Sequence, residues 1–253
     1  MAETMRIFVG TDQRMQKAER ALLWSIYKHT SQPFRIVWMR AGDKGWTVGT
    51  PAGDLSWDWN IGREAGKPYS RVGWATDFSC FRFAVPELAE FEGRALYVDA
   101  DMLFLDDPAI LWNTETSYPW TSVGHRTDVS LIQCAYFNRQ DWPSLEKMRA
   151  SGWGMRAYLG WMAERHRFKG CDLDAQWDCM DGLGYHPKHT KLIHYTNMRT
   201  QPWFPYPDVF DYRVPHRDKR VCEIWHEYYR ESQEHAFTDP GGVDVTKGKP
   251  LCS

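Results

Sequence analysis

The sequence predicts an α/β fold, a Rossmann-like, mixed but mainly parallel sheet flanked by helices, and three observations support this. The chain opens strand–helix–strand: Arg6-Ile7-Phe8-Val9 and Arg35-Ile36-Val37-Trp38-Met39 are short apolar runs, and "MQKAERALLWSIYKHT" between them has helical periodicity. Two strands joined by a crossover helix pair in parallel and carry helices on their faces. A third apolar run, Ala95 to Val98, ends abruptly in acids within "GRALYVDADMLFLDDP", as a buried strand does where it emerges at a sheet's end. The length, 253 residues, suits one substantial domain whose core needs no disulfide or metal staple.

The first strand ends at Gly10-Thr11-Asp12, and the helix after it places Ala18, Ala21, Leu22 and Ile26 on one face. From Gly42 to Gly73 the pattern collapses into Gly, Trp, Asp and Pro. A loop this long in a compact domain is functional or mobile. We expect a flap carrying Trp46, Trp57 and Trp59 over a bound ligand, against the alternative of a static surface loop anchored by buried Trp. The "GREAGKP" inside it is not a phosphate-binding P-loop, because only three residues separate its glycines and Pro68 follows Lys67. Trp74 to Val85 has helical spacing at Ala75, Phe78, Ser79, Arg82 and Phe83, with Pro86 near its stop. Leu131 to Phe137 is a further strand, Leu145 to Arg167 holds one or two helices, and Leu192-Ile193 leads into "HYTNMRTQPWFPYP". From Asp211 the chain is polar and ragged, with a Gly/Lys/Pro-rich tail expected to be poorly ordered. The division expected is one domain over 1–210 and a partly flexible extension over 211–253.

Composition narrows the function. A net charge of −2 and a pI near 6.5 argue against a polyanion-binding surface, so nucleic acid is not an expected partner. No apolar run approaches the roughly 18 residues of a spanning helix, and "MAETMRIFVGTD" lacks a signal-peptide pattern. The expectation is a soluble, cytoplasmic protein without a transmembrane segment, with peripheral membrane contact left open. Six cysteines (Cys80, Cys134, Cys171, Cys179, Cys222, Cys252) form no C-x-x-C, so neither a zinc ribbon nor a disulfide framework is signalled. Fourteen Trp, twelve Tyr and twelve Phe are more than usual; most serve packing, and a minority can line a ligand cleft.

Asp is a poor strand residue and costly to bury unpaired. Asp99 and Asp101, at the end of an apolar strand, can therefore turn both carboxylates towards one ion if the chain leaves extended geometry there. Hard oxygen ligands select Mg²⁺ or Mn²⁺, which complete their shells with water and phosphate. His194, after the apolar "KLI", is either a packed, hydrogen-bonded residue or a third ligand.

Four blocks in order, "IFVGTD", "SCFRFAVPEL", "GRALYVDADMLFLDDP" and "HYTNMRTQPW", span residue 6 to about 206. Together they resemble the retaining, nucleotide-sugar-dependent glycosyltransferases of family 8, which have the GT-A fold. The resemblance implies a metal-binding D-x-D motif at Asp99 and Asp101, with His194 as third ligand and Mn²⁺ or Mg²⁺ as cofactor. It implies nucleoside binding at Gly10, Thr11 and Asp12, with Asp12 facing the base. Arg82 falls near the donor sugar, a role it would share with pairing to an acid. "CDLDAQWD" falls where the family carries an acid and a Gln beside the reacting carbon; Asp174 and Gln176 are the candidates, and the spacing leaves the register open. The implied activity is hexosyl transfer from a nucleotide sugar, most simply a UDP-hexose, to a glycan or other small acceptor with retention of configuration. The donor half would run to about 115 and the acceptor half from about 116 to 210.

The chain departs from the family at its last block. The family's ending is H-Y-x-G-x-x-K-P-W; here Asn197 replaces Gly, one residue is extra, and Gln201 stands where the diphosphate-binding Lys precedes Pro202 and Trp203. Arg199 is the expected replacement cation, with Lys191 or Arg71 as alternatives. Two other readings compete: a haloacid-dehalogenase-like phosphatase, whose D-x-D also ends a strand but sits nearer the N-terminus, and a non-catalytic nucleotide- or glycan-binding protein on a transferase fold.

Overall fold

The computed structural model describes residues 3–41, 46–50, 53–57, 78–79, 81–124, 126–142, 155–165 and 169–235. Strand β1 (Met5–Asp12), helix α1 (Gln16–His29) and strand β2 (Phe34–Ala41) form the expected opening unit. β1 and β2 pair in parallel with Ile7 opposite Ile36, and the predicted face of α1 (Ala18, Ala21, Leu22, Ile26) is buried. Strands β3 (Trp46–Thr50) and β4 (Gly53–Trp57) follow as an antiparallel hairpin, inside the segment expected to lack regular structure. The rest of that segment, with Trp59 and Arg71, lies outside the described residues, as do the side chains of the hairpin.

Over Trp74 to Val85 the described residues do not form the long helix expected. A 3₁₀ turn, Phe81–Ala84, runs into the short helix α2 (Val85–Leu88). Pro86 sits in the first turn of α2 rather than at a helix stop, because a missing N–H costs nothing there. Strand β5 (Ala95–Asp99), strand β6 (Met102–Phe104) and helix α3 (Pro108–Trp112) come next, with Asp107 capping α3 by accepting from the Ala109 N–H at 2.8 Å. Strand β7 (Trp120–Val123) precedes strand β8 (Ser130–Ile132), which gives way at Cys134–Tyr136 to a 3₁₀ turn instead of continuing to Phe137. Helix α4 (Met155–Arg165), strand β9 (Lys169–Leu173), strand β10 (Cys179–Met180), strand β11 (Leu192–His194) and helix α5 (Lys219–Gln233) complete the described elements.

α5 corrects the expectation of raggedness after Asp211. Val221, Ile224, Trp225 and Tyr228 make one buried stripe on it, and Asp218 caps its start. It packs on α1, where Trp24 Nε1 donates to Glu231 at 2.7 Å and His29 Nε2 lies 2.7 Å from the Tyr228 hydroxyl. The tail beyond 235 lies outside the described residues. No helix among the described residues is long and apolar enough to cross a membrane.

The main sheet has the order β2-β1-β5-β8-β7-β9, parallel through β2-β1-β5 and again at β7-β9, with β8 antiparallel to both its neighbours. A second, small sheet is ordered β10-β11-β6. The chain changes sheets between β5 and β6. Ala100 N–H donates to the Gly10 carbonyl at 2.9 Å, the Tyr195 N–H donates to the Asp101 carbonyl at 2.9 Å, and Met102 then pairs antiparallel with His194. The turn at Ala100 and Asp101 carries the chain from one sheet to the other while both acids of the motif line the same cavity. The core beneath is continuous, and Trp24, Trp38, Trp112, Trp120, Trp142, Trp177, Trp203 and Trp225 are all buried.

Candidate active site

Above the sheet switch lies a cavity of about 290 Å³. Its lining brings together Arg82 from the turn before α2, Asp99 and Asp101, Arg126 and Asp128 from the β7–β8 turn, and His194 from the end of β11. Each strand end delivers its acid or imidazole to the same space, which is why residues nearly a hundred positions apart meet here.

Seven charged side chains form one run of contacts. Arg82, 1% exposed, donates from Nη2 to both oxygens of Asp99 (3.2 and 2.9 Å) and from Nη1 to Asp128 and to Thr127 Oγ1 (3.1 Å). Arg126 Nε donates to Asp128 Oδ2 at 2.6 Å and lies 3.7 Å from Asp178 Oδ2. Asp178 Oδ1 meets His194 Nδ1 at 2.9 Å, and His194 Nε2 stands 3.3 Å from Asp101 Oδ1. Four carboxylates against two guanidiniums leave the cluster at −2 when the imidazole is neutral. Tyr97 adds a hydroxyl donor to Asp99 Oδ1 at 2.5 Å, and Gln201 Nε2 donates to Asp101 Oδ2 (3.2 Å) and to the Tyr195 carbonyl (2.7 Å).

Burial sets the electrostatics. It pushes the Asp99 carboxyl up to about 7 against the pull of Arg82, with Asp128 and Asp101 adding like-charge repulsion. Burial acts the same way on Asp128, but Arg82, His194 and Arg126 outweigh it and hold that carboxyl below its ordinary range. Burial also opposes a charge on His194, yet Asp101 and Asp178 on its two sides push the imidazole well above 6.5. Carboxyl groups outnumber guanidiniums here, and a protonated His194 makes up part of the difference until it is deprotonated, as a metal ligand must be.

Asp99, Asp101 and His194 can each bring one ligand atom within 4.8 Å of the others. Asp101 Oδ1 is buried and has no hydrogen-bond partner, since the contact with His194 is not aligned for one. An orphaned buried carboxylate oxygen beside an imidazole is a cost unless a cation takes it. Two carboxylates and one imidazole suit a divalent ion such as Mn²⁺ or Mg²⁺, so the residues fit the expected group. A second group of this kind, Asp128, Asp178 and His194, meets the same distance limit; Asp99 and Asp128 are both paired with Arg82, and what sets the first group apart is the orphaned Asp101 oxygen.

Asp12 ends β1 beside the cavity, where the Tyr206 hydroxyl donates to its Oδ2 at 2.7 Å; Tyr206 itself lines the cavity. Thr11 is buried and donates to Glu19 at 2.7 Å, so it supports the strand end instead of facing the cavity. Gly10 packs against Tyr97. Gln201 is 1% exposed and lines the cavity at the position expected for lysine. Arg199 is exposed, lies over the Phe210 ring at 5.6 Å, and is not among the lining residues. Asp174 caps the 3₁₀ turn Ala175–Trp177 by accepting from the Gln176 N–H at 2.9 Å, and neither residue reaches the cavity. The acid of that segment that joins the cluster is Asp178, whose side chain is 4% exposed. No Trp lines the cavity among the described residues.

Arg126, Asp128, Asp178 and Tyr206 escaped the sequence reading. Asp128 carries the same signal as the D-x-D, an acid at the edge of an apolar strand ("DVSLI"), at the strand's start instead of its end. Arg126 and Tyr206 carry no sequence signal that we recognise.

No family model matches the chain. Protein CDI of Arabidopsis thaliana is 36% identical over 105 residues, a match covering 40% of this chain and 33% of that protein, so the chain spans about a third of the length of this curated relative. Among solved structures, the galactosyltransferase LgtC in complex with donor and acceptor sugar analogues aligns over 93% of this chain and 98% of its own. Its TM-score is 0.61, at 15% identity. The glycosyltransferase GlyE of Streptococcus pneumoniae TIGR4, in its apo form, aligns over 90% of this chain and 60% of its own, with a TM-score of 0.56 at 13% identity. At such identities the likeness concerns the fold: a mixed α/β architecture with a mainly parallel central sheet, that of the GT-A glycosyltransferases.

Proposed function

We propose that this chain is a metal-dependent glycosyltransferase that moves a hexose from a UDP-sugar to a glycan or other small acceptor with retention of configuration. The observation that carries this reading is the Asp99–Asp101–His194 group, gathered on one cavity wall around an orphaned carboxylate oxygen in a fold shared with glycosyltransferases. A divalent ion held there supplies Lewis-acid stabilisation to a diphosphate leaving group.

The chain's own residues do the rest by position. Asp178 accepts from His194 Nδ1 and so turns Nε2 towards Asp101. Gln201 fixes one oxygen of Asp101 and leaves the other open, while Arg82 and Tyr97 lock Asp99. The lining is of two kinds. Met15 and Tyr206 offer an apolar and aromatic surface, with Asp12 held behind it by the Tyr206 hydroxyl, which suits a flat base. Thr127 and Asp128 offer a polar wall, which suits sugar hydroxyls. Such an arrangement fixes donor and acceptor in line and excludes water through its buried walls.

The test is a panel of nucleotide sugars with Mn²⁺, followed by early-time proton NMR. Slow, Mn²⁺-dependent hydrolysis of a UDP-hexose that releases the retained anomer is the expected result. Turnover of a simple phosphate ester in place of any sugar would point to the phosphatase reading. Nucleotide binding without turnover would point to the non-catalytic one.

A further inference from the structure

Each phosphate of a nucleotide sugar carries an ionised oxygen, and the cluster is already at −2 with a neutral imidazole, so one divalent ion does no more than balance the protein's own acids. A leaving diphosphate needs another cation, and among the described residues the expected positions do not provide it. Gln201 is uncharged and commits its amide to Asp101 and the Tyr195 carbonyl. Arg199 lies over Phe210, and Lys191 over the Trp177 ring at 5.2 Å, both outside the lining. Arg82 lines the cavity but is buried, with both terminal nitrogens held by Asp99 and Asp128.

Arg126 differs from all of these. It lines the cavity, and its side chain is 44% exposed. Its Nε and Nη2 are engaged with Asp128 (2.6 and 2.5 Å), and among the described residues Nη1 has no partner. Its backbone is fixed in the tight β7–β8 turn, where Gly124 takes a φ of 58° and the Arg126 N–H donates to the Val123 carbonyl. A long side chain can therefore pivot from a fixed base. Removing it orphans neither acid, because Asp128 keeps Arg82 and Asp178 keeps His194. Breaking an ion pair is costly mainly when it leaves a buried charge alone, and here it does not.

We propose that Arg126 is the second cation of the donor site, turning from Asp128 and Asp178 to the terminal phosphate of a bound nucleoside diphosphate. This rests on the donor-site reading above. Guanidinium is planar, forked and always charged, so it takes over the lysine's electrostatic role and adds direction.

Calorimetry with Mn²⁺ present, using UDP and UMP as probes, tests this on the wild type, Arg126→Gln and Arg126→Lys. A charge-assisted bond to the terminal phosphate predicts that Arg126→Gln weakens UDP by about 10- to 100-fold and UMP by less than about 3-fold, with Arg126→Lys recovering part of the loss. Mn²⁺ affinity without nucleotide, read by electron paramagnetic resonance, is expected to stay unchanged. Equal losses for UDP and UMP, or a loss of Mn²⁺ affinity that accounts for the UDP effect, would show that Arg126 only braces its acids and would overturn the assignment. A wild type that binds neither nucleotide overturns the donor-site reading and this proposal with it. A wild type that binds UDP, with Arg126→Gln unaffected, overturns this proposal alone.

Discussion

A side chain at Gly10 would place its Cβ 2.2 Å from the Tyr97 hydroxyl and 3.3 Å from Asp99 Oδ1. The residue is glycine because β1 passes hard against the pair that locks the first acid of the D-x-D. Gly10→Ala should therefore cost about 1–3 kcal/mol of stability through overpacking, and Tyr97→Phe in that background should recover part of it. Denaturant titration reads both, and an unaltered midpoint for Gly10→Ala would mean that the close approach is absent. Asp178 acts at one remove, so Asp178→Ala should weaken Mn²⁺ affinity about 10- to 100-fold, read by electron paramagnetic resonance with no nucleotide present. Asp99 and Asp101 stood out because acids at the end of an apolar run contradict the run they end, whereas His194 stayed ambiguous until the resemblance of the four blocks set it beside them. Asp178 was not separable from Asp174, since spacing cannot say which acid of "CDLDAQWD" caps a turn and which faces inward. The Arg82–Asp128 contact joins residues 46 positions apart, and only the folded sheet order brings them together.

Among the elements, α5 shows how a readable period can be missed. Val221, Ile224, Trp225 and Tyr228 follow the three-, four- and seven-residue spacing of a buried helical stripe, but the polar residues between them dominate the segment's composition. β1, α1 and β2 were legible because their apolar residues are concentrated, whereas the strand predicted to Phe137 ends early at a 3₁₀ turn. Trp225 packs between Trp203, at 5.3 Å between ring centroids, and Tyr229, at 5.0 Å. Trp225→Ala should cost about 3–5 kcal/mol, seen as a lower urea midpoint, and a change under about 1 kcal/mol would mean that α5 is not docked on the core. The same joint responds to pH. Burial, with Lys28 beside it, holds His29 below its ordinary value of 6.5. The unfolded chain therefore binds the proton more tightly, and this group's contribution to stability is full above pH 6.5 and shrinks as pH falls from there towards the folded value. His29→Gln should flatten the decline of stability below pH 6.5, and urea midpoints for both proteins at pH 7.5 and 5.5 check the sign.

At the scale of the molecule, the main sheet and the small sheet meet where the chain crosses from β5 to β6, and the proposed metal ligands come from both: Asp99 from one, His194 from the other, Asp101 between them. A ligand that binds the folded state alone raises its stability by mass action, so Mn²⁺ with UDP should raise the melting temperature of the wild type. The most direct test of the central claim is a calorimetric titration of UDP into the wild type and Asp101→Ala, each with Mn²⁺ and again with chelator. A donor site bridged by metal requires binding by the wild type with Mn²⁺, and at least a tenfold loss, about 1.4 kcal/mol, on chelation or on removing Asp101. UDP binding of equal strength in all four titrations would contradict it.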